Sequence, residues 1–170
     1  VRHVYISNCP SSANLLDRIA EFKWMNSIGI EASPVSQRHI DELAKLDLWS
    51  LEIRDPPQAD FQLSVIYSIE NSGLHSVTLA GKAITDANLR DVANLTGLRL
   101  LGIDNAHISD AGLTSLAKSK HLTRLRINDC PITGATLSAL AKCPLLEDLN
   151  LNRTLVDSAG VDQLTQIRTL

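Results

Sequence analysis

Cysteine and histidine are the side chains that most often bind metals or attack substrates, and this chain contains three and five of them, respectively. Their positions are Cys9, Cys130 and Cys143, with His3, His39, His75, His107 and His121. Zinc ligands normally occur as closely spaced pairs on one element, and no such pair occurs here. We therefore predict no metal site and expect the cysteines to pack as small apolar side chains.

The same cysteines bear on the compartment. An odd number at irregular spacing is not the pattern of a disulfide framework, which favours a reducing compartment such as the cytoplasm. The chain begins with Val1 rather than methionine, so the sequence leaves open whether a leader has been removed.

Two acidic residues, Asp86 and Asp110, each follow a hydroxyl residue. A row of carboxylates could bind calcium or exchange protons with a substrate. The first turn of a helix has the same pattern, because an acid there interacts with the positive end of the helix dipole, and we favour this interpretation. Nothing pairs a nucleophile with a base, and no phosphate-binding motif surrounds the glycines. We predict no catalytic residues, no cofactor and no enzymatic activity.

The composition excludes two other classes of function. The formal net charge is -3 and the basic residues form no block, so no nucleic-acid groove is expected. The chain has no apolar run long enough to span a membrane. Hydrophobic residues make up 44% of the chain and aromatic residues only 4%, which predicts an aliphatic core.

The positions of all these residues depend on a repeat that covers the whole chain. The stretch LRLLGIDNAHISDAGLTSLAKSKH (98–121) is followed directly by LTRLRINDCPITGATLSALAKCPL (122–145). Repeats of this length indicate a solenoid. We assign residues 1–170 to a single domain. Its repeat units begin at Val1, Met25, Leu48, Leu74, Leu98, Leu122 and Leu146, with a partial unit at Leu170.

The repeat columns predict the structure of each unit. The fourth and sixth places are apolar throughout, as in Leu101 and Ile103, which predicts a short strand with one buried face. The sixteenth and nineteenth places are apolar too, and a spacing of three indicates a helical stripe. The twelfth place can cap a helix in six of seven units: Ser12, Ser36, Thr85, Ser109, Thr133 and Asp157, with Ala59 in the third.

This layout resembles the leucine-rich repeat family. The segments ITDANL (84–89), ISDAGL (108–113) and VDSAGV (156–161) are similar to the bacterial-type repeats of about 24 residues with an I-[ST]-D-x-G-L turn. The resemblance implies an α/β solenoid, curved, with a parallel sheet on its concave face and helices on its convex face. Repeat stacks need covered ends, so further flanking repeats or caps are expected.

The chain departs from the family pattern at two places. The family usually has Asn, Cys or Thr at the ninth place, and this chain has no asparagine ladder there, which predicts weaker ties between turns. The residues at this place are Cys9, Ser33, Pro56, Lys82, Ala106, Cys130 and Thr154. The third unit is the least regular, with two prolines after its strand and Gln58 in a core column. We expect a distorted turn there and a long exit loop around Asn71, Ser72 and Gly73.

The outward places of the strands form the candidate binding surface. Equal places on successive parallel strands lie about 4.8 Å apart, so we expect Arg124 to pair with Asp148, Asp129 with Arg153, and Glu31 with Arg54. The repeat register suggests no partner within the chain for four further outward residues: Tyr5, Glu52, Leu100 and Arg126. The predicted contact residues are Tyr5, Glu52, Leu100, Asp104, Arg126 and Asn150.

The function expected from this surface is protein or peptide binding by a non-enzymatic module. Six gaps between seven strands give a sheet about 29 Å wide, which suits a folded protein or an extended peptide. Two alternatives stay open. The chain could be the substrate-recognition segment of a larger enzyme or signalling protein, or it could be a structural spacer.

Overall fold

Seven parallel strands form one sheet in a computed structural model that describes residues 2–9, 18–57, 61, 63 and 73–170. The strands follow one another in chain order: β1 (His3–Ser7), β2 (Ser27–Glu31), β3 (Ser50–Arg54), β4 (Ser76–Ala80), β5 (Leu100–Asp104), β6 (Arg124–Asn128) and β7 (Asp148–Asn150). Equal places of successive units pair throughout, as Gly102 does with Arg126. The predicted register is therefore confirmed.

The core lies between the sheet and the helical segments. In β3, β5 and β6 the fourth and sixth places are buried while the alternate places are accessible, as period-two side-chain alternation requires. Leu125 and Ile127, for example, are 0% exposed. The buried apolar side chains are mostly Leu, Ile and Val, in agreement with the prediction of an aliphatic core.

The described helical segments include both α-helices and 3-10 helices. The α-helices are α1 (Gln37–Leu43), α2 (Asp86–Val92), α3 (Asp110–Leu113) and α4 (Ser158–Leu164). The 3-10 helices are Ile19–Glu21, Thr114–Lys118 and Leu137–Lys142. In the sixth unit Gly134 has φ 94°, which is not helical, so the helix begins after Thr136 and the predicted cap at Thr133 is wrong.

The other described capping residues stand where they were predicted. Ser36 and Thr85 precede α1 and α2 in capping boxes, and their backbone N–H groups donate to His39 Nδ1 and Asn88 Oδ1. Ser109 precedes α3, and Asp157 precedes α4 and accepts a hydrogen bond from Gly160 N–H. Ser12, Gln58 and Ala59 lie outside the described residues, as do Asn71 and Ser72 of the expected exit loop.

A residue with left-handed backbone conformation follows each strand, directly after β1 to β6 and three residues after the end of β7. The eighth place of each unit has positive φ, and its residues are Asn8, Ala32, Asp55, Gly81, Asn105, Asp129 and Arg153. Asparagine, aspartate and glycine tolerate this conformation best, which accounts for five of the seven. In the first six units the N–H at this place donates to a carbonyl of the next unit, as Asn105 N does to Asn128 O at 3.0 Å. The turn therefore extends the inter-strand ladder by one residue.

Among the described residues no helix is both long and apolar enough to cross a membrane.

Candidate functional site

The candidate surface is the concave face, defined as the third, fifth and seventh places of the seven repeat units. Its side chains point away from the helices, because the fourth and sixth places are committed to the core. Every strand contributes to it in the same register. The face is therefore continuous across the seven strands.

Two of the three predicted charge pairs are confirmed. Arg124 Nε lies 2.7 Å from Asp148 Oδ2, and the guanidinium of Arg153 donates twice to the carboxylate of Asp129. That contact lowers the pKa of Asp129 and raises the pKa of Arg153.

The third predicted pair, Glu31 with Arg54, is wrong. Arg54 donates instead to Glu52, two places before it on the same strand, and its Nη1 lies 3.7 Å from Asp104 Oδ2. The reach to Asp104 passes the short side chain of Ala80 in the intervening strand. The expectation that Glu52 has no partner is therefore wrong as well.

Tyr5 also has partners within the chain. Its ring lies over Gly29, where an added Cβ would be 2.4 Å from the ring, and its hydroxyl donates to Glu31 Oε2 at 2.8 Å. That hydrogen bond is the main cause of a raised pKa for Tyr5. Tyr5 still has 47% of its surface exposed, so its side chain is held in place and remains accessible.

Asp104 and Asn150 also form hydrogen bonds within the chain. Asp104 Oδ1 accepts from Asn128 Nδ2 at 2.7 Å, in addition to its contact with Arg54. Asn150 Oδ1 accepts from the backbone N–H of Asn152 at 3.0 Å. Asp104 is therefore bound to Arg54 and Asn128, and it makes no hydrogen bond or ion pair with Arg126.

Arg126 and Leu100 border a small cavity near the middle of the concave face. The cavity has a volume of about 130 Å³, and its lining includes Thr78, Leu100, Gly102, Arg124 and Arg126. Gly102 creates the space, because its missing side chain leaves Thr78 exposed to the cavity. Arg126 is exposed and makes no hydrogen bond or ion pair with any residue that the structure describes.

The sequence interpretation missed the hydroxyl groups of this cavity. Ser76 and Thr78 line it alongside Arg126, and the third and fifth places of β4 carry them. The available signal was the run of small polar residues at outward places next to Gly102 in the neighbouring strand.

Asp86 and Asp110 have a role in addition to the one predicted. They do occupy the first turns of α2 and α3, but their carboxylates bind the following unit. Asp86 accepts from the N–H and the hydroxyl of Ser109, at 2.8 and 2.6 Å. Asp110 accepts from the N–H and hydroxyl of Thr133 and from the N–H of Gly134. These aspartates tie adjacent units together, so the helix-dipole interpretation was incomplete.

The thiols are structural in the part of the chain that the structure describes. Cys130 and Cys143 are buried, and burial raises the pKa of each thiol. Cys9 is half-buried, and its N–H donates to Ser33 Oγ in the next unit. The described residues contain no group of three His, Cys, Asp or Glu side chains that could bind a metal ion.

Several solved structures resemble this chain in architecture. An internalin (inlF) from Listeria monocytogenes matches with a TM-score of 0.65 and 27% identity, over 91% of this chain and 42% of that chain. The chain has the leucine-rich repeat fold. This leucine-rich repeat chain thus spans less than half the length of that internalin. No protein-family model matches the sequence, and no curated protein matches it.

Two further structures share the leucine-rich repeat fold. Internalin C2 (inlC2) from Listeria monocytogenes has a TM-score of 0.57 and 20% identity, over 89% of this chain and 71% of that chain. The tropomodulin C-terminal domain from Caenorhabditis elegans has a TM-score of 0.55 and 13% identity, over 94% of this chain and 92% of that chain. At these identities the similarity shows the fold alone.

Proposed function

We propose that this leucine-rich repeat chain is a non-enzymatic module that binds a protein or peptide on its concave face. The similarity to the internalin at 27% identity supports a protein-interaction module in general. The described residues contain no metal-binding cluster, and the thiols with raised pKa are buried. These observations favour recognition over chemistry.

The observation that carries the proposal is the contrast between Arg126 and its neighbours. Other charged side chains of the concave face are held by partners within the chain, as Arg124 is by Asp148. Arg126 lies beside a cavity and forms no hydrogen bond or ion pair with any described residue. Arginine is enriched among the residues that dominate binding energy, because it combines a planar donor group with stacking area. We therefore place the centre of the binding surface at Arg126 and Leu100, with Tyr5, Glu52, Asp104 and Asn150 as further contact residues.

The test uses two variants that add the same side chain on opposite sides of the solenoid. Gly102→Gln fills the concave cavity, whereas Ala111→Gln adds the same group at an exposed position of α3. Proteins from source cells are captured on immobilised wild type and on both variants and are identified by mass spectrometry. A partner retained by wild type and Ala111→Gln but lost with Gly102→Gln is expected. Partners lost only with Ala111→Gln would contradict the proposal.

The identified partner then allows a comparison of two arginines by calorimetry. Arg126→Ala should weaken binding by more than about 1 kcal/mol, the usual threshold for a residue that matters at an interface. Arg124→Ala should cost less, because Arg124 already pairs with Asp148. The reverse order, with both variants folded, would move the binding site away from the cavity.

A further inference from the structure

Every charged side chain of the concave strands has a polar partner among the described residues except Arg126. Glu52 binds Arg54, and Asp104 binds Arg54 and Asn128. Glu31 accepts from the hydroxyls of Tyr5 and Ser7, and Arg124 pairs with Asp148. Arg126 alone has no such partner among the strand residues that the structure describes. Arg126 is therefore free to bind an anionic group of a ligand.

The cavity beside Arg126 supplies further polar groups. Thr78 and Ser76 line it, and neither hydroxyl is bonded to another described residue. Leu100 gives it one apolar wall. The volume of about 130 Å³ corresponds to about four water molecules at their share of liquid volume, which is the size of one side chain. An acidic side chain has methylene groups for Leu100 and oxygen atoms for the guanidinium and the hydroxyls.

We infer that the cavity of Thr78, Leu100, Gly102 and Arg126 receives a glutamate or aspartate carboxylate of the partner. This inference rests on the proposed function and names the chemistry that the concave face recognises. The carboxylate accepts from the guanidinium of Arg126, whose fork of N–H donors matches two carboxylate oxygens. The hydroxyl of Thr78 donates to the same group.

The single unpaired cation among the described residues of the cavity favours a carboxylate over a phosphate group. A phosphorylated side chain carries nearly two negative charges at neutral pH, and it is best held by several free cations. Arg124, the other guanidinium of the cavity, is already paired with Asp148. A second negative charge would therefore lie close to the carboxylate of Asp148. One free arginine matches one carboxylate.

The test selects ligands without knowing the natural partner. A phage-displayed library of random linear peptides is selected on the full chain. Peptides that bind wild type but not the Gly102→Gln variant are retained as concave-face binders. Each is synthesised with its acidic residues replaced singly by the corresponding amide, and one series carries phosphoserine at the same position. Binding is measured to wild type, Arg126→Gln and Arg99→Gln. Arg99 is exposed and lies outside the cavity, so its variant controls for the loss of one positive charge.

A thermodynamic cycle decides the outcome. One acidic position should lose about tenfold or more in affinity for wild type when it becomes an amide, as expected for a charge-assisted hydrogen bond. The same replacement should have less than about a threefold effect with Arg126→Gln and its full effect with Arg99→Gln.

Three results would overturn the inference. Concave-face binders with no acidic position coupled to Arg126 would refute it and leave the proposed function standing. Phosphoserine binding more tightly than the carboxylate would replace the carboxylate with a phosphorylated partner. If no selected peptide loses binding to the Gly102→Gln variant, both the inference and the proposed function are contradicted.

Discussion

Replacing Asp110 with alanine should destabilise the solenoid at the junction of its fifth and sixth units. The carboxylate accepts from Thr133 N–H at 2.9 Å, from Thr133 Oγ1 at 2.8 Å and from Gly134 N–H at 2.9 Å. Charge-assisted hydrogen bonds contribute about 1.5–3 kcal/mol each. Asp110 is only partly buried, so water can replace some of its contacts. We expect a total loss of about 2–4 kcal/mol in the free energy of unfolding.

Chemical denaturation of Asp110→Ala and Asp162→Ala measures this effect. Asp162 is an exposed residue of α4, and its replacement removes the same charge. A surface change of this kind should alter stability by no more than about 0.5 kcal/mol. Amide exchange at Thr133 and Gly134 should also become faster in Asp110→Ala. Equal stabilities of the two variants would refute the view that Asp110 ties the units together.

The pH dependence of the same contact has a definite sign. Burial alone would raise the pKa of Asp110, but the donors of Thr133 and Gly134 outweigh it, and the net shift is downward. A carboxylate with a lowered folded pKa stabilises fully above its unfolded value of about 3.9 and loses this contribution as the pH falls through the folded value. The difference between wild type and Asp110→Ala should therefore be largest near neutral pH and shrink in acid. A difference that grows in acid would contradict this account.

Three further perturbations test the packing and the concave face. Gly112→Ala should cost about 1–3 kcal/mol, because its Cβ would lie 2.2 Å from Asp86 Oδ1 and displace that carboxylate from Ser109. Gly102→Ala, whose Cβ would meet Thr78 Oγ1 at 3.3 Å, is the control for denaturation and should change stability less. Leu125→Ala should cost about 2–5 kcal/mol, since the side chain is 0% exposed in a regular unit, and a loss below about 1 kcal/mol would contradict this packing. An NMR titration of Tyr5 should give a pKa above its usual value in wild type and a lower one in Glu31→Ala, and equal values would refute the hydrogen bond to Glu31.

The sheet could be predicted from the sequence because the core columns fix the register. Once Leu125 and Leu149 face the core at equal places, Arg124 must lie beside Asp148, and the structure confirms this pair. Register alone does not decide which of several neighbours a long side chain contacts. Arg54 could reach Glu31, Glu52 or Asp104, and it binds the last two.

The helical side was less predictable, for a local reason. An apolar spacing of three is compatible with both α and 3-10 geometry, and both occur. The left-handed φ of Gly134 then delays the helix of the sixth unit. The ties made by Asp86 and Asp110 had a signal in the sequence, because each aspartate lies one repeat before a hydroxyl residue that caps or precedes the next helical segment. That signal is visible only when adjacent units are compared.

The most direct test of concave-face binding is a methyl NMR titration of the chain with the partner retained in the capture experiment. Leu100 lines the concave cavity, whereas Leu155 is 65% exposed and lies outside that cavity. Binding at the proposed surface should shift or broaden the Leu100 methyl signals and leave those of Leu155 in place. Perturbation of Leu155 with unchanged Leu100 signals would contradict the account.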